Sequence, residues 1–210
     1  MKRYDIINTL AQKNNAKDYL EVGISRGRNF VRVNIEDKIG VDPMPRHAMG
    51  RQNTTHVMTS DKFFEENYKK FDVIFIDGLH VNEQVYKDIN NALNFLNDGG
   101  FIVCHDMNPD VEAIQLPDEA EAKRLRPRGC RRWAGDCWKA WVRIRQERDD
   151  LIMHVVDTDE GCGVISKAFP YYRGTPKLDI KEELTYKGLE ANRKEWLDLI
   201  TVEEFKKLYE

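Results

Sequence analysis

The chain has 210 residues, 41% hydrophobic and 33% charged, with a formal net charge of −3. That composition fits one globular domain, or one domain with a decorated tail, and excludes collagen, wholesale disorder and a membrane bundle. The charge balance points away from nucleic acid, and no apolar run approaches the ~18 residues of a spanning helix.

The charge-dotted N-terminal stretch has no apolar core of the signal-peptide kind. The expectation is therefore a cytoplasmic protein with no membrane partner. The four cysteines, Cys104, Cys130, Cys137 and Cys162, form no CxxC pair. They read as free thiols in a reducing compartment, with Cys104 in the core.

In chain order, residues 4–14 place Ile6, Ile7 and Leu10 on one helical face. Asp18 to Gly23 reads as a short buried strand ending in a glycine turn. A second strand covers Lys38 to Asp42, and a weaker third covers Thr55 to Met58. Phe71 to Asp77 is the strongest strand, and its unbroken apolarity implies burial on both faces of a parallel sheet. Residues 82–96 switch to a helical period, with Val85, Ile89, Ala92, Leu93 and Leu96 on one face. Asp98-Gly99-Gly100 reads as the stop of that helix, and Phe101 to Cys104 as the next strand.

The pattern is lost from Met107 to Trp133, a proline-interrupted stretch of the length that serves as a lid or binding loop. A helix over 135–148 follows, with Trp138, Trp141, Val142 and Arg145 along one face. Two strands, 151–156 and 163–166, then form a hairpin. In the tail, Thr201-Val-Glu-Glu204 is a capping box that opens a last amphipathic helix. The order predicts a doubly wound α/β fold: a mostly parallel seven-stranded sheet with an antiparallel last strand. One domain spans 1–170 with a lid at about 107–133, and 171–210 is a helical tail.

In such a sheet the ligand lies beyond the carboxyl ends of the strands. The first strand ends Glu21-Val-Gly23-Ile-Ser25-Arg-Gly27, where glycines let backbone approach a ligand. The second ends in Asp42, a carboxylate placed to accept hydrogen bonds from a ribose diol. The spacing is GxxxG, not the GxGxxG of dinucleotide oxidoreductases, which favours a cofactor without phosphates. Asp77, His80, His105 and Asp106 gather past the ends of two neighbouring strands. Such a cluster can bind a divalent ion or act as a proton acceptor with an orienting acid. Lys123, Arg124, Arg126, Arg128, Arg131 and Arg132 form a basic run suited to an anionic group, and acids precede it. Trp133 is placed to line a substrate pocket.

These residues resemble a known family. Glu21-Val-Gly23-Ile-Ser25-Arg-Gly27 looks like motif I of the class I S-adenosylmethionine-dependent methyltransferases, whose fold is Rossmann-like. Phe71 to His80 and Gly99 to Asp106 look like the small O-methyltransferase branch that includes the catechol and macrolide-sugar enzymes. The resemblance covers about residues 15–167. It implies S-adenosylmethionine held by Glu21, Gly23, Ser25, Gly27, Asp42, Ser60, Asp61 and Asp77, with Ser60 and Asp61 toward the adenine. It implies catalysis by His105, Asp106 and His80, and assistance from Mg2+ or another divalent cation at Asp77, His105 and Asp106. The chain departs from the catechol pattern at Met107, where an Asn is expected, and from the macrolide-sugar pattern at His105, where an acid is expected.

The acceptor implied is a small molecule, a sugar or nucleotide-linked glycan precursor, and the resemblance leaves room for a homo-oligomer. A nicotinamide-dependent oxidoreductase and a non-catalytic cofactor-binding module are the rival readings. The glycine spacing opposes the first, and the four-residue polar cluster opposes the second.

Overall fold

The computed structural model describes residues 1–168 and 174–210. The boundary expected at 170–171 lies outside the described residues. Helix α1 (Arg3–Asn14) leads into β1 (Asp18–Val22), and β2 (Asp37–Val41), β3 (Phe71–Ile76) and β4 (Leu96–Cys104) run parallel to it. Hairpin strands β5 (Leu151–Val156) and β6 (Cys162–Lys167) follow, and β7 (Leu199–Ile200) pairs parallel with β5. The sheet has seven strands in the order β2-β1-β3-β4-β6-β5-β7.

Successive residues of β3 explain why its apolarity is continuous. Ile74 and Ile76 enter one core with helices α4 (Asn82–Asn94), α6 (Cys137–Glu147) and α7 (Tyr186–Leu197). Val73 and Phe75 enter a second core with Ile6, Ile7 and Leu10 of α1 and Phe205 of α8 (Val202–Tyr209). Strand side chains alternate between faces, so a sheet covered on both sides has no polar positions to spare. Trp138 and Trp141 are fully buried, and Cys104, Cys137 and Cys162 are buried free thiols.

Three expectations change. The strand at Thr55–Met58 shrinks to a single bridge between Val41 and His56; Val57 is 65% exposed and has no face to bury. The Gly99-Gly100 pair does not stop α4, which ends at Asn94. Asn97 to Gly100 instead bulge out of β4 between the Phe71–Leu96 and Val73–Phe101 pairs, with Gly99 at φ +74°. The Asn97 amide donates to Asp72 Oδ1 at 2.8 Å and secures this bulge.

The third change concerns which segments supply the seven strands. The antiparallel strand is β6, paired with both β4 and β5, but it is not the last. The tail contributes the seventh strand, β7, at the sheet edge. Stacked Trp138 and Trp196 hold the tail there, as does the buried Arg145 guanidinium, which donates to the carbonyls of Glu195 and Trp196. The expected Thr201–Glu204 capping box opens α8.

The 107–133 segment carries a 3-10 turn at Glu112–Gln115 and helix α5 (Glu119–Leu125). Ile114 and Ala122 anchor it in the interior.

Candidate active site

The carboxyl ends of β1, β2, β3 and β4 open onto one cavity of about 1020 Å³, at the upper end of the ~300–1,000 Å³ of small-molecule sites. Its floor is the turn after β1. Gly23 sits at φ +92°, and a Cβ there would stand 2.0 Å from the Asp77 carbonyl oxygen. Only glycine lets the ends of β1 and β3 approach this closely. The carboxylate of Asp42, 8% exposed, accepts the Ser25 N–H on Oδ2 and the Met44 N–H on Oδ1, each at 2.7 Å. Each oxygen keeps a lone pair for a ligand hydroxyl.

Ser60 and Asp61 line the same cavity from the start of α3 (Ser60–Glu66). The Gln84 amide fixes Asp61 at 2.9 Å and also reaches the buried Asp88 at 3.0 Å. Burial pushes the Asp88 carboxyl up to about 6.

Two members of the expected cofactor set stand behind the lining. Glu21 is 1% exposed and accepts the Tyr19 hydroxyl at 2.6 Å and the Asn29 amide at 2.8 Å. Burial raises its carboxyl to about 8. Gly27 packs at φ +73° against the backbone of Met49 in α2 (His47–Asn53).

Asp77, His80, His105 and Asp106 do converge. The His80 ring lies 3.3 Å from Asp77 through Nε2 and 3.3 Å from Asp106 through Nδ1. His105 Nδ1 is 3.0 Å from Asp106 and 3.6 Å from Asp77. The two rings differ in access: the His105 side chain is 3% exposed and that of His80 18%. Burial pulls both rings toward the neutral form, but the carboxylates around them outweigh it and raise both above the ordinary histidine value. Trp133 stacks on His80 with ring centroids 4.9 Å apart, and its indole N–H is tied to the Leu116 carbonyl.

The sequence reading missed three side chains here. Arg3 of α1 donates to Asp77 at 2.8 Å and to Asp159 at 2.9 Å. Asp159 sits in the β5–β6 turn and also takes Lys2 at 2.9 Å; its carboxylate is 3.8 Å from His105 Nε2. Glu160, next in that turn, lines the cavity with Arg132, which it binds at 2.8 Å. Three consecutive left-handed residues, Asp159, Glu160 and Gly161, shape the turn. Sequence offered only a turn signal for Asp159 and none for Arg3, an ordinary charge at a helix start.

The basic run is partly neutralised. Lys123 pairs with Glu119, Arg124 with Glu121, and Arg132 with Asp110 and Glu160. Arg46, which lines the cavity from the other side, has no acidic partner among the described residues.

Donor atoms of Asp77, His80 and Asp106 all lie within 4.8 Å of one another. Both ring nitrogens of His105 are buried without a well-formed hydrogen bond. Met107, where the catechol pattern has Asn, is 1% exposed and offers no oxygen; His80 supplies a third donor instead. Two carboxylates and an imidazole suit a divalent ion of intermediate hardness.

Residues 8–107 match the family model described as a methyltransferase domain. Among solved structures, an O-methyltransferase from Bacillus cereus in complex with SAH is 17% identical, with 78% of each chain covered and a TM-score of 0.52. The SAH-bound methyltransferase of Podospora anserina is 12% identical, over 80% of this chain and 78% of that one, at 0.58. The SAM-bound O-methyltransferase of Streptomyces achromogenes involved in tomaymycin synthesis is 12% identical, with 80% of each chain covered, at 0.54. No curated protein sequence matches the chain. The chain shares the fold of these methyltransferases. No helix among the described residues is long and apolar enough to cross a membrane.

Proposed function

We propose that this protein is an S-adenosylmethionine-dependent O-methyltransferase acting on a hydroxyl of a small-molecule acceptor. The observation that carries the reading is that one cavity holds both halves of such a reaction. The Gly23 turn, Asp42 and Asp61 form a cradle for a nucleoside, and the Asp77–His80–Asp106 cluster stands beside it. Methyl transfer from a sulfonium is an in-line displacement, in which the protein aligns the acceptor oxygen and removes its proton.

Of the two rings, His80 is the proton acceptor, because it reaches the cavity and Asp77 and Asp106 flank it. His105, enclosed by Asp106, Asp77 and Asp159, is an imidazolium that holds those carboxylates in place. A metal-assisted form of the same reaction is supported by the close donor set of Asp77, His80 and Asp106, with His105 behind it. A divalent ion held there would lower the pKa of the acceptor hydroxyl.

The acceptor that fits is a sugar, or an aromatic ring, bearing an anionic group. Trp133 offers the apolar face, and Arg46 and Arg132 line the cavity. Calorimetry with S-adenosylmethionine and with NAD, followed by transfer of a labelled methyl group to a panel of hydroxyl acceptors, tests the proposal. Binding of NAD in preference to S-adenosylmethionine would end it.

A further inference from the structure

Asp106 stands at φ +63°, a left-handed conformation that residues with a Cβ seldom adopt. The chain just after it is gripped from two sides. On one side is the β5–β6 turn. The Met107 N–H donates to the Gly161 carbonyl at 3.1 Å and the Asn108 N–H to the Glu160 carbonyl at 2.9 Å. The Asn108 amide donates to Asp157 at 2.9 Å. A Cβ on Gly161 would stand 2.3 Å from the Asn108 nitrogen, so the two backbones touch.

On the other side is α7. Arg193 donates to the Asn108 side-chain oxygen, and to the Pro109 carbonyl at 2.8 Å. Helix α7 breaks its regular path one residue earlier, at Asn192 (φ −122°, ψ 16°). Local breaks of this kind in a helix need a cause, and they recur at functional positions. The tail that carries Arg193 is itself fixed, by Arg145 under the end of α7 and by β7 in the sheet.

We propose that Arg193 is a positioning residue for the catalytic loop. Through Asn108 it holds the left-handed turn that aims Asp106 at His80 and His105, and the C-terminal tail is thereby a working part of the site. The family match ends at residue 107, so this contribution comes from outside it. The importance attached to Asp106 rests on the proposed function; the clamp itself does not.

The test uses the full chain and residue-resolved hydrogen exchange on Arg193→Ala, Arg193→Lys and Asn108→Ala. In Arg193→Ala the amides of Met107 and Asn108 should exchange at least roughly tenfold faster, as expected for local opening of a loop whose strands stay folded. Asn108→Ala should reproduce this, and the double variant should add little, because the two residues act in series. Arg193→Lys, which keeps one donor, should restore most of the protection. The Asp157 amide, which donates to Ile200 in β7, should stay protected throughout. With an acceptor in hand, kcat should fall while KM for S-adenosylmethionine holds.

Wild-type exchange at Met107 and Asn108 in Arg193→Ala would overturn the proposal. So would loss of protection at Asp157 in step with them, since Arg193 would then be a strut of the tail alone. Calorimetry on the wild type reads the cofactor separately. Failure to bind S-adenosylmethionine would remove the proposed function and leave the exchange result to decide the clamp.

Discussion

Replacing Asp42 with Ala gives the most direct measure of the proposed cofactor cradle. In the folded protein this carboxylate already accepts two backbone N–H groups, from Ser25 and Met44, both at 2.7 Å. These bonds preset its orientation, so a ribose diol would meet two fixed acceptors and the ordering cost would fall on the ligand alone. Charge-assisted hydrogen bonds contribute about 1.5–3 kcal/mol. The diol shares one carboxylate, so the expected loss is on the order of that range for the pair. At 1.4 kcal/mol per factor of ten, S-adenosylmethionine should bind about ten- to hundredfold more weakly to Asp42→Ala. Asp42→Asn keeps the shape but has one acceptor oxygen and a misplaced amide, so it should fall between. Calorimetry reads both, with circular dichroism confirming the fold. A folded Asp42→Ala protein with wild-type affinity would refute the ribose assignment.

Three further outcomes follow from the same geometry. Gly23→Ala drives a Cβ into the Asp77 carbonyl at a left-handed φ and should cost at least about 2 kcal/mol in urea unfolding. Gly78→Ala, whose Cβ meets a Val22 methyl at 3.3 Å and Asp88 Oδ2 at 3.9 Å, should cost far less; equal losses would mean the turn is not the constraint. Arg3→Gln removes a positive charge that competes for Asp77, so Mn2+ binding followed by electron paramagnetic resonance should tighten by roughly tenfold. Arg3→Lys should leave that affinity unchanged, and weaker binding to Arg3→Gln would show that Arg3 supports the site. For Glu21, burial lifts the carboxyl from an ordinary 4.5 to about 8. The folded state therefore holds the extra proton, and stability is lost as pH rises from about 4.5 through 8. Glu21→Gln should flatten that loss, gaining on the wild type by a few kcal/mol, order of magnitude, between pH 5 and 8.5. Parallel unfolding curves at the two pH values would contradict it.

What the sequence made legible was whatever depends on neighbours in the chain. The apolar run of Phe71 to Ile76 declares a strand covered on both faces, and Thr201-Val-Glu-Glu204 declares a helix start. Gly23, Asp42, Asp77 and Asp106 could be placed because each lies within two residues of a strand end. Parallel strands bring those ends to one edge. Gly99-Gly100 misled because a left-handed glycine serves a helix stop and a strand bulge equally well. The His56 bridge misled because a β-branched pair of residues does not ensure a face to bury. Strand β7 has two residues, below any periodicity signal. Arg3 and Asp159 were invisible for another reason. They lie at the start of a helix and in a turn, where charged residues are expected on solvent grounds, and only tertiary packing pairs them with each other beside Asp77 and His105.

That packing bears on what the methyltransferase-domain match can explain. The cradle residues Gly23, Asp42 and Asp61 all lie within residues 8–107. The acid cluster cannot be accounted for by that stretch alone. Asp77 and Asp106 lie within it, two carboxylates sharing the same two imidazoles. Like charges this close raise one another's pKa unless cations intervene. Arg3 precedes the matched stretch and Asp159 follows it, and together with Lys2 and the His105 ring they bring the local charge near balance. Asp77 is accordingly held well below the ordinary carboxylate range despite its burial, with His105, His80 and Arg3 as the opposing influences. A chain beginning after Arg3 should therefore bind S-adenosylmethionine as the full chain does, while the Asp77 carboxyl rises only in part, because His105 and His80 still oppose its burial.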